Sequence, residues 1–279
     1  MIIIAPRSSI IASAVKKIFK EIEKLPLETV IQVEGTVLMR EKDTINKNLN
    51  TGEIEIGIEK FKSFLTEFNE TCCRIGKNPK DITILGASKG QQADSIKLAF
   101  EEGIKHFGEN FLQEAEQKIS EIGNLPTWHF IGSIQSRKTK RIASLFHWVQ
   151  TVDRLKVAKK LNENRPQEME KLNVCVQVNP DNEESKSGIP LSGTKNLIGE
   201  LVQLERLRVR GLMSIPAATK DFEQQRKGFG RIRSCFEDLK AIYPQLDTLS
   251  MGMSEDYEAA ILEGSTMIRI GTNIFGTRN

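Results

Sequence analysis

The sequence has few of the residues that define several classes of protein. Four cysteines among 279 residues show neither the spacing of zinc ligands nor the density of a disulfide scaffold. No apolar run reaches the length of a membrane span, and 40 basic residues against 37 acidic ones leave a net charge of only +3. We therefore expect no metal site, no membrane segment and no dominant polyanionic partner, and we expect a reducing, cytoplasmic setting.

Short apolar runs alternate with segments of helical period over most of the chain. In one of these segments Ala93, Ile96, Ala99 and Phe100 share a helical face that Gly103 can end. Strands separated by helix-length connections must pair in parallel. The fold class predicted is therefore α/β, a single (β/α)₈ TIM-type barrel. Its eight strands are predicted at 82–89, 106–108, 128–132, 148–152, 174–178, 210–214, 246–250 and 267–270.

The first and last of these strands carry the most informative residues. Lys89 ends the first strand, and the last strand runs into Gly271 and Thr272. Barrel sites form at the C-terminal strand ends, where a phosphate commonly lies between the loops after strands seven and eight. Here the loop after strand seven contains Ser250, Met251 and Gly252. An amine beside backbone N–H groups that can bind an anion indicates pyridoxal 5′-phosphate (PLP), although a lysine at a strand end is often only solvated.

Several short motifs occur in order from about residue 57 to residue 278. With them the chain resembles the PLP homeostasis proteins, the YggS/PROSC family, whose PLP-binding barrel is related to the N-terminal domain of alanine racemase. Gly90, Ser133-Ile134 and Arg137 depart from the usual family residues, but none of them removes a group needed for the cofactor. The matching segments are 87–89, 107–110, 128–132, 135–139, 184–189, 211–216, 248–254 and 265–276.

The resemblance implies a role for each candidate site residue. Lys89 would form a Schiff base with PLP, and Arg269 would face the pyridine nitrogen, leaving the ring neutral and a poor electron sink. Asn110 would line the ring, and it is equally interpreted as a helix N-cap. His129 is interpreted as a packed or supporting residue, with no constellation formed with His106 or His147. The phosphate would be held by Gly271 and Thr272 on one side and by Ser250, Met251 and Gly252 on the other.

The resemblance favours a PLP-binding protein that supplies or buffers the cofactor over an enzyme. Racemases of this barrel type carry a second, β-rich domain, which we do not expect here. Neither Tyr243 nor Tyr257 is an evident acid or base. The alternative is a PLP-dependent racemase or decarboxylase with weak activity. We expect PLP as the ligand, apo PLP-dependent enzymes as candidate recipients, and a monomer or weak dimer.

Two further groups of basic residues have competing interpretations. The cluster Arg137 to Arg141 could contact nucleic acid, but runs of charge are usually solvated helix faces, so no nucleic-acid partner is expected. Lys186 lies after strand five, on the face of the barrel predicted to carry Lys89. It is interpreted either as a solvated loop lysine or as a second amine that captures the departing cofactor.

Residues 1–51 are predicted to be an extension that is atypical of the family, and residues 52–279 to be the barrel domain. A helix is expected over about 58–75, before the first barrel strand. The first acidic residue of the extension is Glu21, after four basic ones, which is also typical of an organelle-targeting segment. A disordered, dispensable tail or a misassigned start codon would produce the same pattern.

Overall fold

A computed structural model describes residues 31–39, 54–183 and 186–276, with side chains from Phe64 onward. The chain divides into two units between Asn69 and Glu70. In the first unit, strand β1 (Ile31–Met39) pairs antiparallel with β2 (Ile54–Ser63) to form a two-stranded sheet. Helix α1 (Phe64–Arg74) follows β2 directly. The predicted boundary between residues 51 and 52 and most of the predicted extension lie outside the described residues.

The predicted helix over 58–75 is wrong in its first six positions. Residues 58–63 belong to β2, and the helix begins at Phe64. The physical reason is visible in the sequence, because Ile54, Ile56 and Ile58 recur every two residues, the period of a strand. Residues 31–39 of the predicted extension likewise form a paired strand. The prediction of a disordered tail is left untested for residues 1–30 and 40–51.

The second unit contains eight parallel strands that close into a barrel in the order β10-β3-β4-β5-β6-β7-β8-β9. All eight strands predicted from the sequence are confirmed. The strands are β3 (Thr83–Ala87), β4 (His106–Glu109), β5 (Thr127–Phe130), β6 (Trp148–Val152), β7 (Leu172–Val178), β8 (Leu207–Ser214), β9 (Thr248–Ser250) and β10 (Met267–Ile270).

A helix follows each barrel strand, as parallel pairing requires. Three short 3₁₀ helices, Pro79–Asp81, Ser136–Lys138 and Leu191–Gly193, lie in the connections. The helices are α2 (Ala93–Glu101), α3 (Leu112–Ile122), α4 (Thr139–Leu145), α5 (Leu155–Asn164), α6 (Thr194–Leu201), α7 (Phe222–Ile242), α8 (Tyr257–Leu262) and α9 (Thr272–Phe275).

The strands are apolar on both faces because the barrel interior and the helix layer both exclude water. All five residues of β6 and all four of β10 are buried. A cluster of buried apolar side chains comprises Leu85, Trp148, Cys175, Met213 and Met267. The four cysteines are free thiols. Within the described ranges, no helix is both long enough and apolar enough to cross a membrane.

Helix α2 illustrates how the sequence pattern becomes structure. Ala93, Ile96 and Ala99 are buried, as their spacing predicts, while Phe100 is only partly buried. Gly103, just beyond the helix, has φ +105°, a conformation that glycine adopts without the steric cost of a side chain. The chain can then turn directly into β4.

Candidate cofactor-binding site

Lys89 follows the C-terminal end of β3, where its side chain is partly exposed. Strand β3 pairs with β10 through Leu85 opposite Arg269 and Gly86 opposite Ile270. The ends of the first and last barrel strands are therefore neighbours, as closure of the barrel requires. Among the described residues, the Lys89 amine forms no hydrogen bond or ion pair. The structure thus leaves this amine available for a ligand.

Arg269 lies inside the barrel, with 5% of its surface exposed. Its Nη1 donates to the Ser250 hydroxyl at 2.8 Å, and its Nη2 donates to the carbonyl oxygen of Ser214 at 2.8 Å. Burial lowers the Arg269 pKa to about 10, while the charges of Asp256 and Cys175 oppose that effect. The guanidinium remains protonated at neutral pH, so it can only donate hydrogen bonds.

A chain of hydrogen bonds continues from Ser250 across the barrel interior. The Ser250 hydroxyl donates to Gln150 Oε1 at 2.7 Å, and Gln150 Nε2 lies 2.9 Å from His129 Nδ1. His129 Nε2 in turn lies 2.9 Å from His106 Nδ1. The expectation that these histidines form no constellation is therefore wrong for His106 and His129, which are direct partners, because alternate residues of neighbouring strands share the barrel interior.

Arg269, the first residue of this series of hydrogen bonds, determines which group donates and which accepts at each step. Because Arg269 can only donate, the Ser250 hydroxyl must accept from it. That hydroxyl then donates its own hydrogen bond to Gln150 Oε1. The Gln150 amide N–H₂ then donates to Nδ1 of His129, which must carry its proton on Nε2 and donate to His106. Burial lowers the pKa of His129 well below its usual value and also lowers the pKa of His106, so both rings are neutral at pH 7.

His106 is near an open cavity of about 390 Å³. The cavity is lined by His106 and Thr83, which begin β4 and β3, together with residues that include Trp148 and Arg210. The Arg210 guanidinium lies 4.5 Å from the centre of the Trp148 ring. The hydrogen-bonded chain therefore connects Arg269 with the N-terminal end of the barrel strands.

The loops after β9 and β10 present backbone donors at the same end as Lys89. The N–H groups of Gly252, Gly271 and Thr272 have no acceptor within the described part of the chain. At Gly252, φ is +96° and an added Cβ would lie 2.6 Å from the Ala260 Cβ, so the fold itself requires glycine. At Gly271 an added Cβ would meet nothing closer than 3.6 Å. The missing side chain of Gly271 therefore leaves room for an approaching group.

The other two residues of the predicted phosphate loop are used within the barrel. Met251 is fully buried, its N–H donates to the Met267 carbonyl at 3.1 Å, and its own carbonyl accepts from the Ser265 hydroxyl at 2.7 Å. Ser250 is occupied by Arg269 and Gln150. Their contact with a phosphate stays a prediction, and only Gly252 of these three residues presents an unused backbone donor there.

Asn110 is not a helix N-cap. Helix α3 begins at Leu112, and Phe111 occupies the cap position without a side-chain hydrogen bond. The Oδ1 atom of Asn110 is buried and has no partner among the described residues. A Cβ on Gly132 would lie 2.0 Å from the Asn110 carbonyl oxygen, so the glycine allows the loop after β5 to pack against Asn110. A buried acceptor without a partner is suited to accept a hydrogen bond from a hydroxyl group of a ligand.

Sequence reasoning missed a buried ionic cluster next to Lys89. The Lys118 ammonium, on α3, donates to the carbonyl of Ser88 at 2.7 Å, to Glu109 Oε1 at 2.8 Å and to Glu114 Oε1 at 2.5 Å. One signal was available: Glu114 and Lys118 are four residues apart on the helix. A second was the position of Lys118 on the face that also buries Leu112, Ala115 and Ile119.

The other predicted basic groups are held at the surface. Lys186 donates to Glu183 Oε1 at 2.7 Å and to the Pro216 carbonyl at 3.1 Å, so it is neither free nor simply solvated. Arg141, from the basic cluster, pairs with Glu116 at 2.7 Å. Residues 184 and 185 of the loop lie outside the described residues. In the described ranges no three His, Cys, Asp or Glu side chains group as metal ligands.

These residues fit PLP on their own chemistry. The site contains an unpaired amine, a buried arginine and an unpartnered acceptor. It also contains backbone N–H groups that are free to hold a phosphate. The acceptor, Asn110 Oδ1, is a buried polar atom that lacks any partner in the described chain. The loop at Gly271 provides the space that a close anion needs.

The chain is similar to known proteins over most of its length. Residues 87–279 match the family described as "Alanine racemase, N-terminal domain". The pyridoxal phosphate homeostasis protein of Escherichia coli (strain K12) is 46% identical over 210 residues, 74% of this chain and 90% of that protein. The protein of the same name from Pseudomonas aeruginosa is 46% identical over 222 residues, 79% of this chain and 95% of that one.

Among solved structures, PipY of Synechococcus elongatus PCC7942 with PLP bound is similar to the described fold. It is 31% identical in sequence, with a TM-score of 0.65, and the match covers 75% of this chain and 100% of the PipY chain. The similarity to PipY without PLP has a TM-score of 0.67. The match to relatives of nearly full length fixes the family of this chain.

Proposed function

This chain belongs to the pyridoxal phosphate homeostasis protein family, and we propose that it binds PLP through Lys89 and supplies or buffers the cofactor inside the cell. The observation that carries the proposal is the unpaired Lys89 amine, at the end of β3 beside β10. Strand β10 contains Arg269 and leads into the free N–H groups of Gly271 and Thr272. The PLP bound by PipY and the names of the bacterial relatives support it.

PLP, when bound, supplies an aldehyde that condenses with an amine and releases water. Lys89 is suited to that condensation because no carboxylate of the described residues pairs with it. Gly252, Gly271 and Thr272 are suited to hold the phosphate, and Asn110 Oδ1 to accept from a ring hydroxyl. Arg269 can only donate hydrogen bonds, so it would be a donor toward the ring nitrogen.

The role proposed for Arg269 favours retention over turnover. A guanidinium with a pKa of about 10 does not transfer its proton to a much weaker base such as a pyridine nitrogen. The ring would stay neutral and would be a poor sink for electrons. The relatives carry homeostasis names, and we infer that this chain, too, acts as a binder and supplier of PLP and does not turn over a substrate.

A weak amino-acid racemase or decarboxylase is the second candidate. The observation in its favour is the match of residues 87–279 to the alanine racemase N-terminal domain. Such an activity would need a second proton-transfer group near Lys89. Tyr257 is buried, and burial raises its pKa, so the phenol stays protonated at neutral pH and is not available as a base. Incubating the PLP-loaded protein with single L-amino acids and assaying for D-amino acids and amines separates the two candidates.

We further infer a cytoplasmic protein that is a monomer or weak dimer and that delivers PLP to apo PLP-dependent enzymes. The bacterial relatives and the free thiols support the first part. An apo-enzyme whose activity is restored faster by the loaded protein than by the same concentration of free PLP would support direct delivery. Equal rates would indicate release into solution.

The absorbance spectrum of the purified protein tests the main proposal. Addition of PLP should produce a band near the edge of the visible range that disappears on borohydride reduction. Mass spectrometry of the reduced protein should then place a phosphopyridoxyl group on Lys89. A spectrum that is only the sum of free PLP and apoprotein, with no adduct after reduction, would reject the proposal.

A further inference from the structure

The backbone on both sides of Lys89 is held by one buried cluster of charges. Before it, the Ser88 carbonyl accepts from the Lys118 ammonium at 2.7 Å, and the Ser88 hydroxyl donates to Glu109 Oε1 at 2.6 Å. After it, the N–H of Gly90 donates to Glu114 Oε1 at 2.5 Å. We call Lys118, Glu109 and Glu114 the ionic triad.

The ionic triad is largely buried, and its ammonium is fully hydrogen-bonded, although Glu109 Oε2 has no partner among the described residues. The side chains of Lys118, Glu109 and Glu114 are 7%, 0% and 27% exposed. The three hydrogens of an ammonium match the three acceptors around Lys118, namely one carbonyl and two carboxylates. A buried charge that lost one of these partners would be costly, so each member keeps the others in place.

Beyond its own members, the ionic triad contacts the residues next to Lys89. Within the described part of the chain, the hydrogen bonds of its side chains to other residues run to Ser88 and Gly90, the two chain neighbours of Lys89. Gly90 has φ +74°, and an added Cβ would meet nothing within 4 Å, so its conformation serves the path of the backbone and not packing. Lys89 itself stays unpaired between the two held residues.

We propose that Lys118, with Glu109 and Glu114, positions Lys89 for covalent binding of PLP by holding the backbone of Ser88 and Gly90. The inference rests on the proposed function and deepens it. Lys118 is a positioning residue, because it acts through the backbone and none of its ammonium hydrogens is left for a ligand. A fixed backbone lowers the entropic cost of bringing the amine to the aldehyde.

Two ligands separate positioning from general structural support. PLP can condense with Lys89, whereas pyridoxamine 5′-phosphate has the same ring and phosphate but carries an amine where PLP has its aldehyde. The positioning role predicts that loss of the triad weakens PLP binding and leaves pyridoxamine 5′-phosphate binding unchanged. A merely structural role predicts parallel losses for both ligands.

The variants are Glu114→Ala, which frees the Gly90 N–H but keeps the Lys118 and Glu109 pair, and Lys118→Met, with Lys118→Arg as the conservative replacement. Glu116→Ala is the matched control, because Glu116 lies on the same helix and pairs with Arg141 at the surface. We expect about a tenfold fall in PLP affinity for Glu114→Ala, the effect of one hydrogen bond to a charged group. Lys118→Met should lose more, and Lys118→Arg should regain part of the loss.

Each outcome decides the inference. Weaker PLP binding with unchanged pyridoxamine 5′-phosphate binding supports it, while parallel losses, or no loss in Glu114→Ala, overturn it. If Lys118→Met does not fold, Glu114→Ala carries the test, because the Lys118 and Glu109 pair that remains in this variant has no net charge.

Failure of the wild type to form the reduced adduct on Lys89 would instead reject the proposed function. In that case, the inference is tested without a ligand by measuring the rate at which a trace of acetylating reagent labels the Lys89 amine. The wild type and Glu114→Ala are compared, and equal rates of labelling would overturn the positioning role of the ionic triad.

Discussion

Arg269 and Ser250 are joined by a hydrogen bond of 2.8 Å from the guanidinium Nη1 to the hydroxyl oxygen. Because the arginine can only donate, the serine hydroxyl accepts from it and donates its own hydrogen bond to Gln150. A serine predicted to face a phosphate is thereby occupied in supporting the arginine. The same strand end supplies Gly252, whose N–H stays free for an anion.

Lys89→Ala should abolish covalent binding of PLP while leaving the barrel folded. The side chain lies at the open end of β3 and makes no polar contact in the described residues, so little packing is lost. Borohydride reduction followed by peptide mass spectrometry measures the adduct, and circular dichroism measures the fold. The assignment would be wrong if the adduct of the wild type mapped to Lys186 or Lys138.

Gly252→Ala and Gly271→Ala should affect different properties, the first the stability of the fold and the second the affinity for PLP. The Gly252 substitution places a Cβ 2.6 Å from Ala260 at φ +96°, and we expect it to lower the free energy of unfolding by about 1–3 kcal/mol. The Gly271 substitution meets nothing closer than 3.6 Å, so stability should hold while PLP affinity falls. Urea unfolding and PLP titration of both variants test this pair, and a Gly271→Ala protein with unchanged PLP affinity would contradict the phosphate site.

Thr272→Ala should weaken PLP binding by about 1.5–3 kcal/mol, the range for a hydrogen bond to a charged partner. Thr272 is exposed at the start of α9, so the fold does not depend on its hydroxyl. Pyridoxal, which lacks the phosphate, should bind wild type and variant with similarly low affinity. Equal affinity of the wild type for pyridoxal and PLP would rule out a phosphate site.

Stability should fall as the pH drops below about 6.5. Burial lowers the pKa of His129 strongly and lowers the pKa of His106 and His147. In acid the unfolded chain therefore takes up protons that the folded chain does not, and the free energy of unfolding falls with falling pH. Each such histidine contributes up to about 1.36 kcal/mol per pH unit.

The variant His129→Gln isolates the contribution of the most buried ring. Burial raises the pKa of Glu109 and of Asp256, which has the opposite effect on stability in acid, but these groups are common to both proteins and cancel in the comparison. Urea unfolding at several pH values should show a shallower loss for the variant. Identical slopes would mean that His129 does not stay neutral in the folded protein.

Lys186→Ala should retain PLP but transfer it more slowly to an apo-enzyme. The ammonium of Lys186 is held by Glu183 and by the carbonyl of Pro216, in the loops that follow β7 and β8. An ordered amine at this end of the barrel could capture the departing cofactor once Glu183 releases it. Transfer rates are compared at matched PLP occupancy, and equal rates would leave Lys89 as the sole lysine with a chemical role.

The barrel was predictable because parallel strands buried on both faces appear in the sequence as continuous apolar runs. The run from Trp148 to Val152 is an example, since all five residues are buried. The segment before the barrel was harder. Residues 58–63 lie between an alternating pattern and a helical one. Strand β2 pairs with β1 across a connection that separates even the nearest partners, Met39 and Ile54, by 15 positions in the sequence. Local periodicity does not reveal such a nonlocal contact.

The positions of single side chains were less predictable than the strands. Asn110 was equally consistent with a helix cap, because a polar residue before a helical pattern suits either role. The structure places the cap at Phe111 and leaves Asn110 Oδ1 unpartnered. The contact of Lys118 with Ser88, 30 residues earlier, depends on how α3 packs against the ends of β3 and β4, and spacing along the chain does not encode it.

The hydrogen-bonded chain from Arg269 to His106 has a practical consequence for spectroscopy. The protein has only three histidines, so the ring nitrogens of a ¹⁵N-histidine-labelled sample form a spectrum of few signals. Two of those rings, His129 and His106, share one chain of hydrogen bonds with Arg269. A ligand that drew on the Arg269 guanidinium would alter the polarisation of each bond in turn. The His106 resonance would then report occupancy of the site from the opposite end of the barrel, without any label placed in the site itself.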